Sequence, residues 1–206
     1  PFQPNKNSMW NMIDNYKITH FGTSPKFLES CINTKVSPKK THSLKSLKSI
    51  LSTGSPLVEK CFEYVYQHIK KDVQLASISG GTDIISCFAL GNPTLPVISG
   101  EIQCIGLGMD VAAFNDNEEE LFNQKGELVC KKAFPSMPIY FWNDKDGKKL
   151  YEAYFNKYRN IWYHGDFIEI NDHKGVKIFG RSDTTLNPGG IRIGTSEIYR
   201  VVESFD

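Results

Sequence analysis

The chain has 206 residues, of which 40% are hydrophobic, and a formal net charge of +1 at pH 7. This composition is typical of a soluble globular protein, and no apolar run is long enough to predict a transmembrane helix. The balanced charge argues against a nucleic-acid-binding protein, which usually needs a clustered basic excess. We therefore expect a small-molecule partner and neither nucleic acid nor a membrane.

The chain begins with Pro1 rather than Met and stops at Asp206, soon after a dense motif, so we expect an internal fragment of a longer protein. No secretory signal is visible at its start. The five cysteines are odd in number and widely spaced, and no two form a Cys-x-x-Cys pair. This spacing favours reduced thiols in a cytosolic protein over a disulfide framework or a zinc site.

A lysine-rich stretch over residues 35–51 is the first patterned segment. Leu44, Leu47 and Leu51 recur in it at spacings of three and four, which predicts an amphipathic helix. Its basic face is either a solvated surface over core leucines or a binding face for an acidic or phosphate-bearing partner.

A second helix is predicted after Ser52-Thr53-Gly54-Ser55-Pro56. Ser55 can cap this helix, and Pro56 suits its first position because that position needs no backbone donor. The residues that would share its buried face recur at every fourth position: Leu57, Cys61, Val65 and Ile69.

Residues 73–78 predict a β-strand that leads into Ser79-Gly80-Gly81-Thr82-Asp83. Glycines allow backbone donors to approach a phosphate, Thr82 offers a hydroxyl, and Asp83 could bind a magnesium ion. The same five residues also fit an ordinary turn.

The middle of the chain predicts further strands over residues 97–105 and 127–132, separated by a polar turn over 115–123. Residues 176–179 read as another strand, which delivers Gly180-Arg181-Ser182-Asp183 at its end. Arg181 can make two parallel hydrogen bonds to phosphate or ribose oxygens.

The densest signal begins at His164-Gly165-Asp166, where a carboxylate directly follows a glycine and suits hydrogen bonding to a ribose diol. Farther on, residues 187–190 predict a turn, and residues 191–193 predict a strand that directs Arg192 away from its apolar neighbours. A helix is expected from Glu197, with Thr195 or Ser196 as its N-cap. An ordinary pair of strands with a charged turn is the alternative.

These segments resemble the late core motifs of adenylate-forming enzymes, the superfamily of acyl-CoA synthetases, luciferases and peptide-synthetase adenylation domains. The segments 52–56 and 79–83 precede the late motif in the same order, and the likeness runs from about residue 18 to the end. The resemblance implies an α/β fold. Residues 1–182 would be the C-terminal part of the large adenylate-forming domain, and residues 183–206 the hinge and the beginning of the small C-terminal α+β domain.

The likeness is strongest to members that ligate acetoacetate to coenzyme A with ATP and magnesium ions. Acetoacetate would attack the α-phosphate of ATP, and the thiol of coenzyme A would then displace AMP from the acyl-adenylate. Three alternatives stay open: another short-chain acyl-CoA synthetase, a non-catalytic nucleotide-binding module, and an amino-acid-activating domain. The last would need an Asp in the acyl pocket.

The resemblance also implies which residues bind the nucleotide. Adenine would be lined by Gly54, Ser55 and Pro56. Gly81 and Thr82 would lie at the phosphates, with the Thr82 hydroxyl at the α-phosphate. Asp166 and Arg181 would hold the ribose.

The remaining roles concern catalysis and domain movement. Asp83 stands where the family usually has a magnesium-linked Glu; its shorter side chain favours a water-mediated contact with the metal. Thr82, Asp83 and Arg192 would be the catalytic residues, with Arg192 near the phosphate. Asp183 would be the hinge of the small domain, and Gly190 would border the passage of the pantetheine.

Ser79 and Gly80 would line the acyl pocket. Short-chain members often have an aromatic residue here, so the small residues suit an acid larger than acetate, and Gly80→Trp is expected to shift preference toward acetate. The superfamily's phosphate loop with its Lys and its catalytic C-terminal Lys do not occur between residues 1 and 206. We therefore expect no synthetase activity from these residues alone.

Overall fold

The computed structural model describes residues 5–183 and residue 202. The chain divides into two compact units, the first made of Pro1–Ser79 and Leu90–Gln103, and the second of Gly80–Ala89 and Cys104–Asp206. Both contain strands and helices, as predicted. Among the described residues, no helix combines the length and apolar character needed to cross a membrane. The predicted domain boundary at residue 183 stays a prediction.

The first unit is built on a three-stranded parallel sheet. Its strands are β1 (His20–Thr23), β2 (Ser49–Ser52) and β3 (Gln74–Ser77), paired in that order. Its α-helices are α1 (Ser8–Asn15), α2 (Pro25–Asn33) and α3 (Glu59–Tyr64), with a 3-10 turn at Pro38–Lys40 and a π-helical segment at Val65–Ile69. Parallel strands need crossover connections, and the helical segments supply them. The segments that follow the three strands therefore lie at one edge of the sheet.

Three aromatic rings from α1, β1 and α2 meet in the core of this unit. Trp10, Phe21 and Phe27 have centroid separations of 5.7–5.9 Å and tilted or edge-to-face planes. Such pairs add to the free energy of burial. The register of α2 is fixed at its start, because the Ser24 hydroxyl accepts a hydrogen bond from the backbone of Phe27 and Pro25 occupies the first helical position.

The helix predicted over residues 35–51 is wrong. The segment forms the short 3-10 turn, then a loop in which Leu44 has a φ of 45°, and then β2. Both carboxylate oxygens of Asp14 accept hydrogen bonds from the backbone of Ser43 and Leu44, at 2.7 and 2.6 Å. A distant side chain thus satisfies donors that a helix would have paired, while Leu44 and Leu47 are still buried.

The helix predicted after Pro56 is present but starts later, at Glu59, with Val58 as its N-cap and no capping side chain. It continues as the π-helical segment rather than as regular α-helix. The predicted buried face is confirmed. Its four members are at most 6% exposed: Leu57, Cys61, Val65 and Ile69.

The second unit contains two sheets. A short three-stranded sheet consists of β4 (Ser79–Gly81), β5 (Ser86–Leu90) and β6 (Cys104–Ile105), in that order. The five strands of the larger sheet are β7 (Val111–Phe114), β8 (Glu120–Leu121), β9 (Gly126–Cys130), β10 (Trp162–Ile170) and β11 (Val176–Arg181). They run antiparallel in the order β11-β10-β9-β7-β8. Helix α4 (Lys148–Tyr154) precedes β10.

The strands predicted at 73–78, 127–132 and 176–179 are confirmed as β3, β9 and β11. The strand predicted over 97–105 is wrong except for its last two residues. The side-chain amide of Gln103 donates hydrogen bonds to the carbonyl oxygens of Asn92 and Leu95, at 2.9 and 2.7 Å. These contacts tie Gln103 to the loop that precedes the predicted strand. Inside the segment, the backbone N–H of Glu101 donates to the carbonyl oxygen of Ile98 at 3.2 Å, which forms a turn in place of an extended strand.

Two glycines of the second unit permit close approaches that a larger residue would block. A Cβ atom on Gly126, in β9, would lie 2.7 Å from the carbonyl oxygen of Phe114 in β7. A Cβ atom on Gly81, in β4, would lie 2.8 Å from Cε1 of His164 in β10. The first contact is with backbone and cannot relax easily, whereas the second is with a side chain.

We predict that Gly126→Ala lowers the free energy of unfolding by about 1–3 kcal/mol, because the added methyl group forces β7 and β9 apart. Gly22→Ala is the matched control, since nothing lies within 4 Å of a Cβ atom at that strand position, and it should change stability by about 0.5 kcal/mol or less. Thermal unfolding of both variants measures the difference. Equal melting temperatures would contradict the close approach.

We further predict that Gly81→Ala and His164→Ser are coupled. Gly81→Ala alone should destabilise the protein because it pushes on a buried imidazole, and His164→Ser should create the room that the new methyl group needs. The double variant should therefore lose less stability than the sum of the single variants, by about 1 kcal/mol. Strictly additive losses in unfolding experiments would show that the two positions do not contact each other.

Candidate functional site

The turn between β4 and β5 exposes Thr82 and Asp83. Ile85 in the same turn has a φ of 47° and is 91% exposed. A β-branched residue in the left-handed region is an outlier, and such strained residues cluster at functional sites. The predicted phosphate-binding segment therefore has both accessible polar groups and a strained backbone beside them.

Tyr154 orients the Asp83 carboxylate. Its hydroxyl donates a hydrogen bond of 2.5 Å to Oδ2 of Asp83. Burial, and then the neighbouring carboxylate, raises the pKa of Tyr154, so that the phenol remains a donor at neutral pH. The Tyr154 ring stacks on the indole of Trp162, with centroids 3.7 Å apart and planes 15° apart.

Trp162 also orients His164, two residues farther along β10. The indole Nε1 donates to Nδ1 of His164 at 3.4 Å, which places the proton of the neutral ring on Nε2. Nε2 lies 3.6 Å from Oδ2 of Asp166. The imidazole thus lies between Gly81, whose missing side chain it replaces, and the Asp166 carboxylate.

The charge state of His164 follows from its surroundings. Burial, and then the positive charge of Arg181, lowers the pKa of His164 to about 4. The ring is therefore neutral at pH 7 and does not form an ion pair with Asp166. Phe88 packs edge-on against it, with centroids 4.8 Å apart, and fixes its orientation.

Asp166 faces Arg181 across the antiparallel pair β10–β11, where the two residues are direct partners. The strand register is irregular on both sides of this part of β10. The pairing with β9 shifts between Tyr163 and Phe167, and the pairing with β11 shifts between Asp166 and Ile168. Such bulges redirect side chains and are common beside functional sites. Oδ1 of Asp166 lies 3.7 Å from a guanidinium nitrogen of Arg181.

Burial raises the pKa of Asp166 to about 6, against the opposing effect of Arg181, and Asp183 and Glu127 raise it further. Asp166 is 8% exposed. A carboxylate in this environment gains from additional hydrogen-bond donors, because its own protein contacts compensate its burial only in part.

Arg181 is also fixed from the other side. Its Nε and a terminal nitrogen donate to the two carboxylate oxygens of Asp183, at 3.0 and 2.5 Å. These hydrogen bonds lower the pKa of Asp183 and keep it ionised. Gly165 has a φ of 80°, and a Cβ atom there would lie 2.8 Å from the guanidinium. Both its conformation and this close approach require glycine.

The structure brings several predicted residues together in the second unit: Gly81, Thr82, Asp83, Asp166, Arg181 and Asp183. The predicted adenine-lining residues Gly54, Ser55 and Pro56 follow β2 in the first unit, and Gly54 has a φ of 98°. Gly190 and Arg192 lie outside the described residues, as do the predicted turn, strand and helix after residue 186.

The expectation that Gly80 leaves open space is wrong. A Cβ atom there would lie 2.1 Å from the carbonyl oxygen of Ser86, across the β4–β5 pair. Gly80→Trp would disrupt this pairing instead of filling a pocket, so it cannot report on acyl preference. The assignment of Ser79 and Gly80 to an acyl pocket therefore depends on the resemblance alone.

Sequence reasoning missed Tyr154 and gave no role to Trp162 or to His164. Tyr154 is 71 residues from Asp83 along the chain, and no motif surrounds it. His164 could have been suspected, because it directly precedes the Gly165-Asp166 pair and a glycine at position 81 leaves room for a ring.

The carboxylate of Asp83 suits one kind of metal site. No cluster of three or more His, Cys, Asp or Glu side chains that could hold a metal ion occurs in the part of the chain that the structure describes. Magnesium usually binds one or two carboxylates together with substrate phosphates and water. A single exposed carboxylate thus fits a magnesium ion that arrives with a nucleotide and does not fit a metal held by the protein alone.

Comparison with known proteins identifies relatives along the whole chain. It is 53% identical over 206 residues to an acetoacetyl-coenzyme A synthetase of Rhizobium meliloti (strain 1021), an alignment that covers 100% of this chain and 32% of that protein. It is 50% identical over 207 residues to the acetoacetyl-CoA synthetase of Gallus gallus, with 100% and 31% covered. The solved structure of acetoacetyl-CoA synthetase from Streptomyces lividans matches with a TM-score of 0.90 at 38% identity, over 98% of this chain and 31% of that one.

The chain spans about a third of the length of the curated relatives it matches. The structural match confirms the predicted α/β fold of an adenylate-forming domain. A family model described as AMP-binding enzyme matches residues 1–141. Since this match covers more than half of the chain, the protein belongs to the AMP-binding enzyme family.

Proposed function

We propose that the full-length protein carrying this chain ligates acetoacetate to coenzyme A in an ATP-dependent reaction that passes through acetoacetyl-adenylate. The products are acetoacetyl-CoA, AMP and pyrophosphate. The proposal is supported by the identity of 53% to a protein named acetoacetyl-coenzyme A synthetase. None of the five cysteines, all of which lie in the part of the chain that the structure describes, forms a disulfide bond, which supports a cytosolic location.

The observation that carries the proposal is the position of His164 between the Thr82–Asp83 turn and Asp166. Its ring contacts Gly81, one residue before the turn, and its Nε2 lies 3.6 Å from the Asp166 carboxylate. The segment proposed to bind phosphate and the carboxylate proposed to bind the ribose thus flank one imidazole. A nucleotide requires both functions close together.

In this proposal Asp166 accepts hydrogen bonds from the ribose hydroxyls, and Arg181 contributes donors beside it. Hydrogen bonds from two ribose hydroxyls replace the hydrogen bonds to water that the buried carboxylate lacks. The Thr82 hydroxyl donates a hydrogen bond to the α-phosphate. The substrate carboxylate attacks the phosphorus of this group, and pyrophosphate leaves. Gly54, Ser55 and Pro56 line the adenine.

The reaction accumulates negative charge near the turn, so catalysis depends on positioning and on charge neutralisation. Asp83 would hold magnesium, directly or through water, and the metal would neutralise charge on the phosphates when bound. Arg192 remains the proposed phosphate contact, Asp183 the proposed hinge and Gly190 the proposed border of the coenzyme A passage. Small molecules are the proposed partners.

A pyrophosphate-exchange assay with a panel of acids tests the function. The full-length protein should exchange labelled pyrophosphate into ATP with acetoacetate, and much more slowly with acetate or with amino acids. Asp83→Asn should reduce exchange by about a hundredfold, because charge stabilisation at phosphorus is a major catalytic contribution. Exchange with an amino acid would instead indicate a peptide-synthetase-like domain, and no exchange with any acid would indicate a non-catalytic module.

The pKa of Asp166 predicts how nucleoside binding depends on pH. Adenosine is the suitable probe, because it has no phosphate that titrates in this range. As the pH falls from about 7.5 to about 5, Asp166 becomes protonated near pH 6 and loses acceptor capacity, so adenosine affinity should fall by about tenfold. His164 stays neutral above about pH 4 and does not contribute.

Asp166→Asn provides the control for this pH dependence. This variant should bind adenosine weakly, and its affinity should be unchanged between about pH 7.5 and 5, as calorimetry can measure. If wild-type and variant affinities fell in parallel with pH, another group would be responsible and Asp166 would not hold the ribose.

A further inference from the structure

The hydrogen bond between Tyr154 and Asp83 is long-range in sequence and short in space. The phenol oxygen lies 2.5 Å from Oδ2 of a residue 71 positions earlier in the chain. Asp83 is exposed, in a turn that two short strands flank. An exposed carboxylate ordinarily samples several rotamers, so a charge-assisted hydrogen bond here restricts its orientation.

Tyr154 can act in this way because its own ring is fixed. It is the last residue of α4, a helix without a buried residue. The ring stacks on Trp162 at 3.7 Å, and Phe141 packs edge-on against it with centroids 6.2 Å apart. Trp162 itself is 1% exposed. The phenol is therefore anchored to the sheet by an aromatic face, independently of the rest of its helix.

The indole that holds Tyr154 also holds His164. Tyr154 in turn contacts Asp83 through its phenol oxygen, and the imidazole of His164 lies beside Asp166. The two carboxylates with proposed roles at the nucleotide thus lie at the two ends of one series of contacts, with Trp162 in the middle. A stacking contact that served only to dock α4 would not need a hydroxyl directed at the exposed carboxylate.

We propose that Tyr154 is a positioning residue, which holds the Asp83 carboxylate in the orientation used at the reacting phosphate. This inference rests on the proposed function, since it assigns a role within the same site. The phenol engages Oδ2 and restricts rotation of the carboxylate, so that Oδ1 is presented in one direction. Tyr154 acts through Asp83 and is not itself a catalytic residue.

The test compares Tyr154→Phe with Tyr151→Phe in the full-length protein. Tyr151 lies one helical turn earlier in α4 and is 52% exposed. Tyr154→Phe keeps the stacked ring and removes only the hydroxyl. We expect kcat of pyrophosphate exchange with acetoacetate to fall by about tenfold or more, the effect of losing one hydrogen bond to a charged group. KM for ATP and the melting temperature should change little, and Tyr151→Phe should match the wild type.

Two further measurements separate positioning from a structural role. In an Asp83→Asn background, Tyr154→Phe should cause no additional loss of activity, because its target carboxylate is gone. The affinity of the ATP-saturated protein for Mn²⁺, followed by water proton relaxation, should fall several-fold in Tyr154→Phe and stay unchanged in Tyr151→Phe. Both readouts depend on the orientation of Asp83.

The outcomes distinguish this inference from the proposed function. Wild-type activity and Mn²⁺ affinity in Tyr154→Phe, in a protein that exchanges pyrophosphate and loses exchange on Asp83→Asn, would overturn the positioning role alone. A loss of activity that is explained by a lowered melting temperature, or that adds fully to Asp83→Asn, would also overturn it. A wild-type protein that exchanges pyrophosphate with no acid would instead contradict the proposed function.

Discussion

The burial of Trp162 at the start of β10 is the constraint on which the candidate site depends. Phe134 and Phe155 pack edge-on against its indole, with centroids 5.4 and 5.7 Å away, while one face stacks on Tyr154. Its only polar atom, Nε1, donates to His164. A large ring enclosed on several sides cannot shift without opening a cavity, which commonly costs several kcal/mol. The side chains that pack against Trp162 therefore rest on a rigid support.

Two close approaches between a glycine and a larger side chain shape the rest of the candidate site. His164 occupies the space beside Gly81, and the Arg181 guanidinium occupies the space beside Gly165. In both pairs the glycine gives up a side chain so that a functional group from another strand can come close. Substituting either member of a pair displaces the other.

Several elements could be predicted because their determinants are local. The strands β3, β9 and β11 follow from runs of apolar and β-branched residues, and the buried face of the helix near Cys61 follows from its four-residue period. The failures have a common cause. The lysine-rich segment is not helical because Asp14 satisfies its backbone donors. Residues 97–103 form a loop that turns at Ile98–Glu101 and ends at Gln103, whose side chain binds the carbonyl oxygens of Asn92 and Leu95. In both cases a side chain binds backbone groups outside its own predicted element, and the apolar pattern does not report such contacts. Tyr154 was missed for the same reason.

The electrostatics of the site follow from the same geometry. Arg181 stabilises the negative charge of Asp166, whereas burial of the carboxylate disfavours it. The neutral His164 beside it adds no positive charge. Arg181 cannot turn fully toward Asp166, because Asp183 engages it with two hydrogen bonds. The Asp166 carboxylate is thus held in place but incompletely compensated, and donors from a bound molecule would stabilise it. Paired hydroxyls of the proposed ribose would supply such donors at Asp166. The proposed metal ion and phosphates would instead meet Asp83 in the exposed turn, where they can enter together from solvent.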